Sequence, residues 1–132
     1  MAAALREGFR GPLFIQGDHF QVSPKRYAAD PQAEIEALKA LMRESVAAGF
    51  FNIDVDTSTM VDLNKTTIPE QQALNTALSA MFTAYIRTIQ PQNTTVSVGG
   101  EIGEVGGHNS TEEELRGYLD GYRAELQKLD SR

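Results

Sequence analysis

Short apolar runs alternate with longer amphipathic stretches three times along this sequence, and this alternation limits the folds open to the chain. The apolar runs have the length of strands, and the stretches between them have the hydrophobic period of helices. Strands that alternate with amphipathic helices form βα units around a parallel sheet. The predicted strands run from Pro12 to Gly17, from Phe50 to Asp56 and from Thr94 to Val98.

Each predicted helix carries its own start signal. Asp30 precedes a proline, the pattern of an N-cap followed by proline at the first helical position. Thr67 and Glu70 have the spacing of a capping box, and the last helix is expected to begin at Ser110 or Thr111. The predicted buried stripes of the three helices are Ile35, Leu38, Leu41, Met42 and Val46; Leu74, Leu78, Met81, Tyr85 and Ile86; and Leu115, Tyr118, Leu119, Tyr122, Leu126 and Leu129.

These elements predict an α/β fold of about three βα units with parallel strands, in a single domain over residues 1–132. The first residues, AAALREG, have the pattern of a helix tail that Gly8 closes, so the chain is expected to begin inside a unit. A complete (β/α)₈ barrel has eight units in about 250 residues. Two architectures fit: a small open α/β domain, or a partial (β/α)₈ (TIM) barrel, which is the prediction we adopt.

Composition excludes several classes of protein. A net charge of −6 argues against nucleic acid and anionic membrane surfaces as partners. The sequence has no cysteine, which excludes disulfide scaffolds, zinc ribbons and thiol nucleophiles. No apolar run approaches the roughly 20 residues that span a bilayer, and the first residues lack the apolar core of a signal peptide. A cytoplasmic protein is therefore expected.

Residues able to bind a metal follow all three predicted strands. Because the ends of parallel strands meet at one edge of a sheet, these side chains are candidates for one site. Oxygen and imidazole ligands of this kind hold zinc or another divalent metal. Strand alternation would place Asp54 and Asp56 on one face, the interior of a barrel. The candidates are Asp18 and His19; Asp54 and Asp56; and Glu101, Glu104 and His108.

Each candidate also has a plainer interpretation. Asp18 and His19 could be a turn aspartate and an exposed histidine, and the two strand aspartates could lie on the solvated face of an edge strand. The glycine-rich stretch from Gly99 to Ser110 could be a flexible connector. Asp62 and Lys65 are expected to be solvated loop residues, and the tyrosines of the last helix are expected to belong to the core.

Three motifs in order give the chain a resemblance to a known family. QGDH follows the first strand, IDVDTSTMVDL includes the end of the second, and GEIGEVGG follows the third. Over roughly Pro12 to Leu129 this arrangement resembles the metal-dependent class II aldolases, which include the fructose- and tagatose-bisphosphate aldolases. The resemblance implies a (β/α)₈ barrel and reversible aldol cleavage of a phosphorylated ketose in carbohydrate metabolism. It also implies a divalent metal, with zinc the expected ion.

The resemblance assigns roles to individual residues. Asp18 matches the acid/base that handles the substrate hydroxyl, and His19 matches a ligand of the catalytic metal. Asp56 and Glu101 match acidic positions that lie beside the metal and can bind it. The family usually has acidic residues after the Gly-Gly pair, one of them assigned to proton transfer, and this chain has His108 there. His108 is therefore the second catalytic candidate.

A non-catalytic interpretation stays open. In the family, further metal histidines and the phosphate-binding loops come from later strands, whereas this sequence has two histidines in all. The motifs also resemble the non-catalytic subunit associated with tagatose-bisphosphate aldolases. Three βα units leave two strand edges unpaired. We therefore expect a homo-oligomer or a partner barrel subunit, and the alternative to an enzyme is a subunit or truncated barrel segment that acts by association.

Overall fold

The computed structural model describes residues 2–103 and 109–130. Within them the chain forms one sheet of three parallel strands in the order β1-β2-β3, with five helices and a short 3₁₀ turn. The predicted α/β class with parallel βα units is thereby confirmed. The elements are α1 Ala2–Arg6, β1 Gln16–Gly17, α2 Pro24–Ala29, α3 Pro31–Ala47, β2 Asn52–Val55, the 3₁₀ turn Ser58–Met60, α4 Ile68–Ile89, β3 Ser97–Gly100 and α5 Glu112–Asp130.

The three long helices begin where the sequence predicts. The Asp30 carboxylate accepts the backbone N–H of the third residue of α3, at 3.0 Å. Thr67 and Glu70 cap each other's backbone at the start of α4, in the reciprocal arrangement of a capping box. Thr111 and Glu114 make the same exchange before α5. These caps satisfy N–H groups that have no partner inside a helix, so local sequence decides them.

The strands are shorter than predicted, and one is displaced. β1 covers Gln16–Gly17 alone, and β3 covers Ser97–Gly100. The prediction that the third strand ends at Val98 is wrong, because Gly99 and Gly100 pair with Asp54 and Val55 of β2. Neighbouring side chains explain why both positions are glycine. A Cβ added at Gly99 would lie 2.9 Å from Asp54 Oδ1, and one added at Gly100 would lie 2.2 Å from the Tyr118 hydroxyl.

Helix α2 was not predicted, although its start is marked by a capping serine followed by proline. The Ser23 hydroxyl accepts the N–H of Arg26 at 3.4 Å. Glu34 of α3, which is 2% exposed, joins this helix to the next one. It accepts the Ser23 backbone N–H at 2.8 Å and the Arg26 Nε–H at 2.6 Å. Burial opposes ionisation of Glu34, but the Arg26 and Ser23 hydrogen bonds outweigh it and lower the pKa.

Helices α3 and α4 cover one face of the sheet. Ile53 and Val55 of β2 point into that layer. By strand alternation, Asn52 and Asp54 belong to the opposite face, which is polar. Leu41 was predicted to be buried and is 48% exposed, so the stripe of α3 is narrower than its apolar residues suggest. The core consists of Phe20, Val22, Leu38, Met42, Val46, Ile53, Val55, Leu78, Phe82, Ile86 and Val96.

Helix α5 packs closely on α4 at Gly117 and Gly121, which lie against Ile68 and Thr76. A Cβ added at Gly117 would lie 2.5 Å from the Ile68 Cγ2 atom, so the backbone of α5 occupies that space. Tyr118 is 7% exposed, which confirms it as a core residue, and Tyr122 is half-buried. Leu115 and Leu119 were predicted to be buried with them and are exposed, so the buried face of α5 is narrower than predicted. No helix among the described residues is both long and apolar enough to cross a membrane.

Candidate functional site

The predicted site residues of the three strands meet at the carboxyl edge of the sheet. Asp18 follows β1, Asp56 follows β2 and Glu101 follows β3. The register makes this meeting close, because the β2–β3 ladder ends with the pair Val55–Gly100 and the two acids come directly after it. His19 makes contacts with both aspartates. His108 and Glu104, also predicted for this site, lie outside the described residues.

His19 is held by Asp56 through one ring nitrogen. Its Nδ1 lies 3.3 Å from Asp56 Oδ2, and since an ionised carboxylate only accepts, we assign the hydrogen to Nδ1. Nε2 is then left with its lone pair, on a side chain that is 60% exposed and with Asp18 Oδ2 3.9 Å away. The hydrogen bond to Asp56 and the charge of Asp18 raise the pKa of His19. The imidazole is oriented so that Nε2 can bind a cation.

The backbone at His19 is itself unusual. Its φ of +53° lies in the left-handed region, which few residues other than glycine adopt. After this turn the chain returns beside β2: the Phe20 N–H donates to the Asp54 carbonyl at 3.0 Å, and the Val22 N–H donates to the Asp56 carbonyl at 3.1 Å. The turn thus presents the imidazole at the strand ends while Phe20 and Val22 enter the core.

Asp56 is the anchor of the site. Its carboxylate is nearly fully buried, at 3% exposure of the residue, and β2 is the central strand. The edge-strand interpretation of the two aspartates is therefore wrong. Besides His19, the carboxylate accepts Gln21 Nε2–H at 2.6 Å, the Ser58 N–H at 3.2 Å and the Ser58 hydroxyl at 2.7 Å. These four donors compensate for the burial of a charge, and they direct Asp56 toward its protein partners.

Asp54 and Glu101 are carboxyls that the site makes harder to ionise. Burial raises the pKa of Asp54, with Asp56 and Asp18 adding to the effect, although the His19 backbone N–H that it accepts works in the opposite direction. Burial also raises the pKa of Glu101, and the charges of Asp54 and Asp56 raise it further. A carboxyl with a raised pKa accepts a proton more readily than an ordinary carboxylate does, as a general base requires.

A buried polar stripe on α4 supports the strand ends and was not predicted. Asn75 Nδ2 donates to the Glu101 carbonyl at 3.0 Å, and Gln72 Nε2 donates to the Ile102 carbonyl at 2.7 Å. The Thr57 hydroxyl, just after Asp56, donates to Asn75 Oδ1 at 2.5 Å. Polar residues at intervals of three and four are the signal that could have revealed it. The stripe consists of Gln72, Asn75, Thr76, Ser79 and Thr83.

The two loop residues after the 3₁₀ turn, Asp62 and Lys65, are solvated as predicted. Asp62 and Lys65 are both substantially exposed, and their charged atoms lie 3.9 Å apart. Asp62 accepts the backbone N–H of Asn64 at 3.1 Å, which is local turn chemistry. Both of these contacts are local to the loop.

The donors at the site fit zinc in kind. Imidazole nitrogen and carboxylate oxygen are ordinary zinc ligands, and His19 Nε2 and Asp18 Oδ2 both face solvent. Within residues 2–103 and 109–130, no three histidine, aspartate or glutamate side chains are grouped closely enough to hold a metal ion. The described part of the chain therefore offers a pair of donors, and a metal bound there would draw its other ligands from elsewhere.

No protein-family model matches the chain, and no curated protein or solved structure is significantly similar to it. The resemblance to class II aldolases therefore depends on the three motifs and on the chemistry of the strand ends.

Proposed function

We propose that this chain is a class II aldolase-like segment of a (β/α)₈ barrel, acting in the metal-dependent, reversible aldol cleavage of a phosphorylated ketose. One observation carries the proposal. The exposed imidazole of His19 stands at the carboxyl edge of a parallel sheet, with Nδ1 held by buried Asp56 and Nε2 beside Asp18. A metal-binding histidine characteristically donates its other ring N–H to a carboxylate.

In this proposal His19 binds the metal through Nε2, and Asp56 fixes the tautomer and increases the basicity of the ring. A bound divalent metal would polarise the ketose carbonyl. Asp18, which is exposed next to Nε2, takes the proton from the substrate hydroxyl when the carbon–carbon bond breaks and returns it in the condensation direction. Glu101 remains a candidate ligand or proton carrier. The four hydrogen bonds to Asp56 favour support of His19 over direct coordination.

The layer arrangement supports the barrel assignment. Both long crossover helices, α3 and α4, contribute to a single core on one side of the sheet. The opposite side carries polar groups, including Asn52 and the nearly buried Asp54. In a (β/α)₈ barrel the helices form the outer ring and the strand ends carry the active site. Further strands, from additional chain, a second copy or a partner barrel subunit, would supply the remaining ligands. We also propose a cytoplasmic location.

The second candidate function is a non-catalytic subunit that acts by association. Within the described residues β1 and β3 each have a neighbouring strand on one side only, and such edges can pair with another chain. Large apolar side chains stand in solvent just before β1, with Phe14 81% exposed and Leu13 46% exposed. An interface of this kind would bury them against another barrel protein.

The experiment that separates the two functions is a metal and activity assay on the purified chain. Zinc content is measured first, and cleavage of fructose or tagatose bisphosphate is then followed with and without a chelator. When a second copy of the chain completes the site, the proposal predicts chelator-sensitive cleavage that zinc restores, lost in His19→Ala and Asp18→Asn but kept in Asp62→Asn. Absence of zinc and of cleavage, together with tight binding to another barrel protein, would support the subunit instead.

A further inference from the structure

The two acids that follow β2 and β3 lie beyond the hydrogen bonds that join these two strands to each other. The ladder between these strands ends with the pair Val55–Gly100. Asp56 and Glu101 come next, and Glu101 belongs to the coil after the strand. Something other than strand pairing must therefore set the position of the Glu101 loop against the end of β2.

Asn75 makes that connection from the buried side of α4. Its side chain is 0% exposed. On one side, Asn75 Oδ1 lies 2.5 Å from the hydroxyl of Thr57, the residue after Asp56, and is the shortest contact of that hydroxyl with α4. The Asn75 carbonyl at 3.0 Å and Ser79 Oγ at 2.7 Å also lie within hydrogen-bond distance of the hydroxyl. On the other side, Nδ2 donates to the carbonyl of Glu101 at 3.0 Å. Nδ2 also donates to Gln72 Oε1 at 2.8 Å, and the Gln72 amide reaches the next carbonyl of the loop, Ile102, at 2.7 Å.

We propose that Asn75, supported by Gln72, is a positioning residue for the strand-end site: it fixes the loop that bears Glu101 against the end of β2 that bears Asp56. The role extends the proposed function, because it concerns the residues that function uses. Since Asp56 in turn orients His19, the position of α4 is transmitted to both the imidazole and the Glu101 carboxyl.

The chemistry of the amide explains why asparagine stands here. A buried polar network is costly unless every member has a hydrogen-bond partner. An apolar side chain would fill this core position without needing any partner. A carboxamide offers an acceptor and two donors on one rigid group. Asn75 uses the acceptor toward the end of β2 and the donors toward the β3 loop and Gln72. Neither leucine nor aspartate can make both connections.

The test compares Asn75→Leu with Thr83→Val in the metal-free chain. Thr83 lies on the same buried stripe, but its hydroxyl accepts a hydrogen bond from Tyr122 at 2.9 Å instead of holding a strand-end carbonyl, and Thr83→Val removes that bond. Unfolding in urea measures the free energy of unfolding that each variant loses, so that their signals are compared at known stability. The ¹⁵N signals of the His19 ring and the side-chain carboxyl ¹³C signal of Glu101 then report on position. We expect Asn75→Leu to lose the Nδ1–H preference of His19 and to move the Glu101 signal, and Thr83→Val to change neither.

Two milder variants separate the connections and keep the test available if Asn75→Leu does not fold. Asn75→Asp keeps the acceptor for Thr57 but loses the donor to the Glu101 carbonyl, so the Glu101 signal should move while the His19 tautomer stays. Gln72→Met removes the bond to Ile102 and should move the Glu101 signal less than Asn75→Asp does. If none of these variants moves a signal by more than Thr83→Val does, Asn75 is an ordinary core residue and the proposal is overturned.

These signals need neither metal nor substrate, so the positioning role is tested independently of the proposed function. If the chain does cleave sugar bisphosphates, Asn75→Asp should lower kcat more than it raises KM, because Glu101 is displaced while the rest of the site is kept. Misplacement by about 1 Å costs on the order of 10²-fold in rate. An equal fall in kcat for Thr83→Val would count against a positioning role.

Discussion

Nδ1 of His19 and Oδ2 of Asp56 lie 3.3 Å apart, although 37 positions separate the two residues in the sequence. The contact joins an exposed imidazole to a carboxylate that is almost fully buried. It is formed because the left-handed backbone at His19 turns the chain back along β2. The carboxylate fixes the ring and leaves Nε2 open to solvent, so this pair is the centre of the proposed metal site.

Replacing Asp56 with asparagine should release the imidazole. The Asp56 hydrogen bond is the main cause of the raised pKa of His19, so Asp56→Asn should lower that pKa toward its ordinary value of 6.5. Affinity for Zn²⁺ should fall by roughly 10–100-fold, as is usual when the carboxylate behind a metal-binding histidine is lost. NMR of the ring nitrogens and isothermal titration measure the two effects. Asp62→Asn is the control, and an unchanged pKa and affinity in Asp56→Asn would refute the pairing.

Gly100→Ala should destabilise the fold through one contact. Alanine alone would favour a strand by roughly 0.5–1 kcal/mol over glycine. Here the new Cβ would lie 2.2 Å from the hydroxyl of Tyr118, which is buried and bonded to Ser79. Overpacking of this kind costs about 1–3 kcal/mol, so we expect a net loss in the free energy of unfolding measured in urea.

The matched test of this contact is a double-mutant cycle with Tyr118→Phe. The single change to phenylalanine removes a hydrogen bond to Ser79 and should cost about 0.5–1.5 kcal/mol. In that background the closest contact is gone, although the ring Cζ would still lie 3.2 Å from the new Cβ, so Gly100→Ala should cost less than it does in the wild type. Equal effects of Gly100→Ala in both backgrounds would show that the hydroxyl is not what requires glycine.

The stability of the chain at acidic pH should depend on Glu34. Its folded pKa is lowered from the ordinary value of 4.5, so its ionised form stabilises the fold above pH 4.5 and that contribution is lost as pH falls through the folded pKa. The free energy of unfolding should therefore fall more on acidification in the wild type than in Glu34→Gln. Glu36→Gln is the control, because Glu36 is exposed. Parallel pH profiles for the wild type and Glu34→Gln would contradict the linkage.

Local signals were sufficient for the three long helices and the fold class. The capping box of Thr67 and Glu70 acts within one turn, so the start of α4 can be found without knowledge of any neighbour. The parallel arrangement follows from the alternation of strands and helices. The meeting of Asp18, Asp56 and Glu101 at one edge follows from the same rule and needs no side-chain detail.

The end of β3, the polar stripe of α4 and the turn at His19 depend on contacts between segments that are distant in the sequence. Gly99 and Gly100 have the pattern of a loop, but they are strand residues because they pair with β2. They are glycines because Asp54 and Tyr118 fill the space that side chains would need. The polar stripe of α4 serves the ends of β2 and β3, and its partners are mostly backbone carbonyls with no signature of their own. The support of His19 by Asp56 likewise depends on a turn at His19 that no residue pattern announces.

The most direct test of the proposed metal site is a zinc titration of the chain followed through the ring nitrogens of His19. Zn²⁺ should shift the Nε2 resonance of His19 while Nδ1 keeps its hydrogen, and Asp18→Asn should weaken the binding because it removes a negative charge 3.9 Å from Nε2. Zinc that leaves both nitrogens unchanged, or binds His19→Ala as tightly as the wild type, would contradict the proposed metal site.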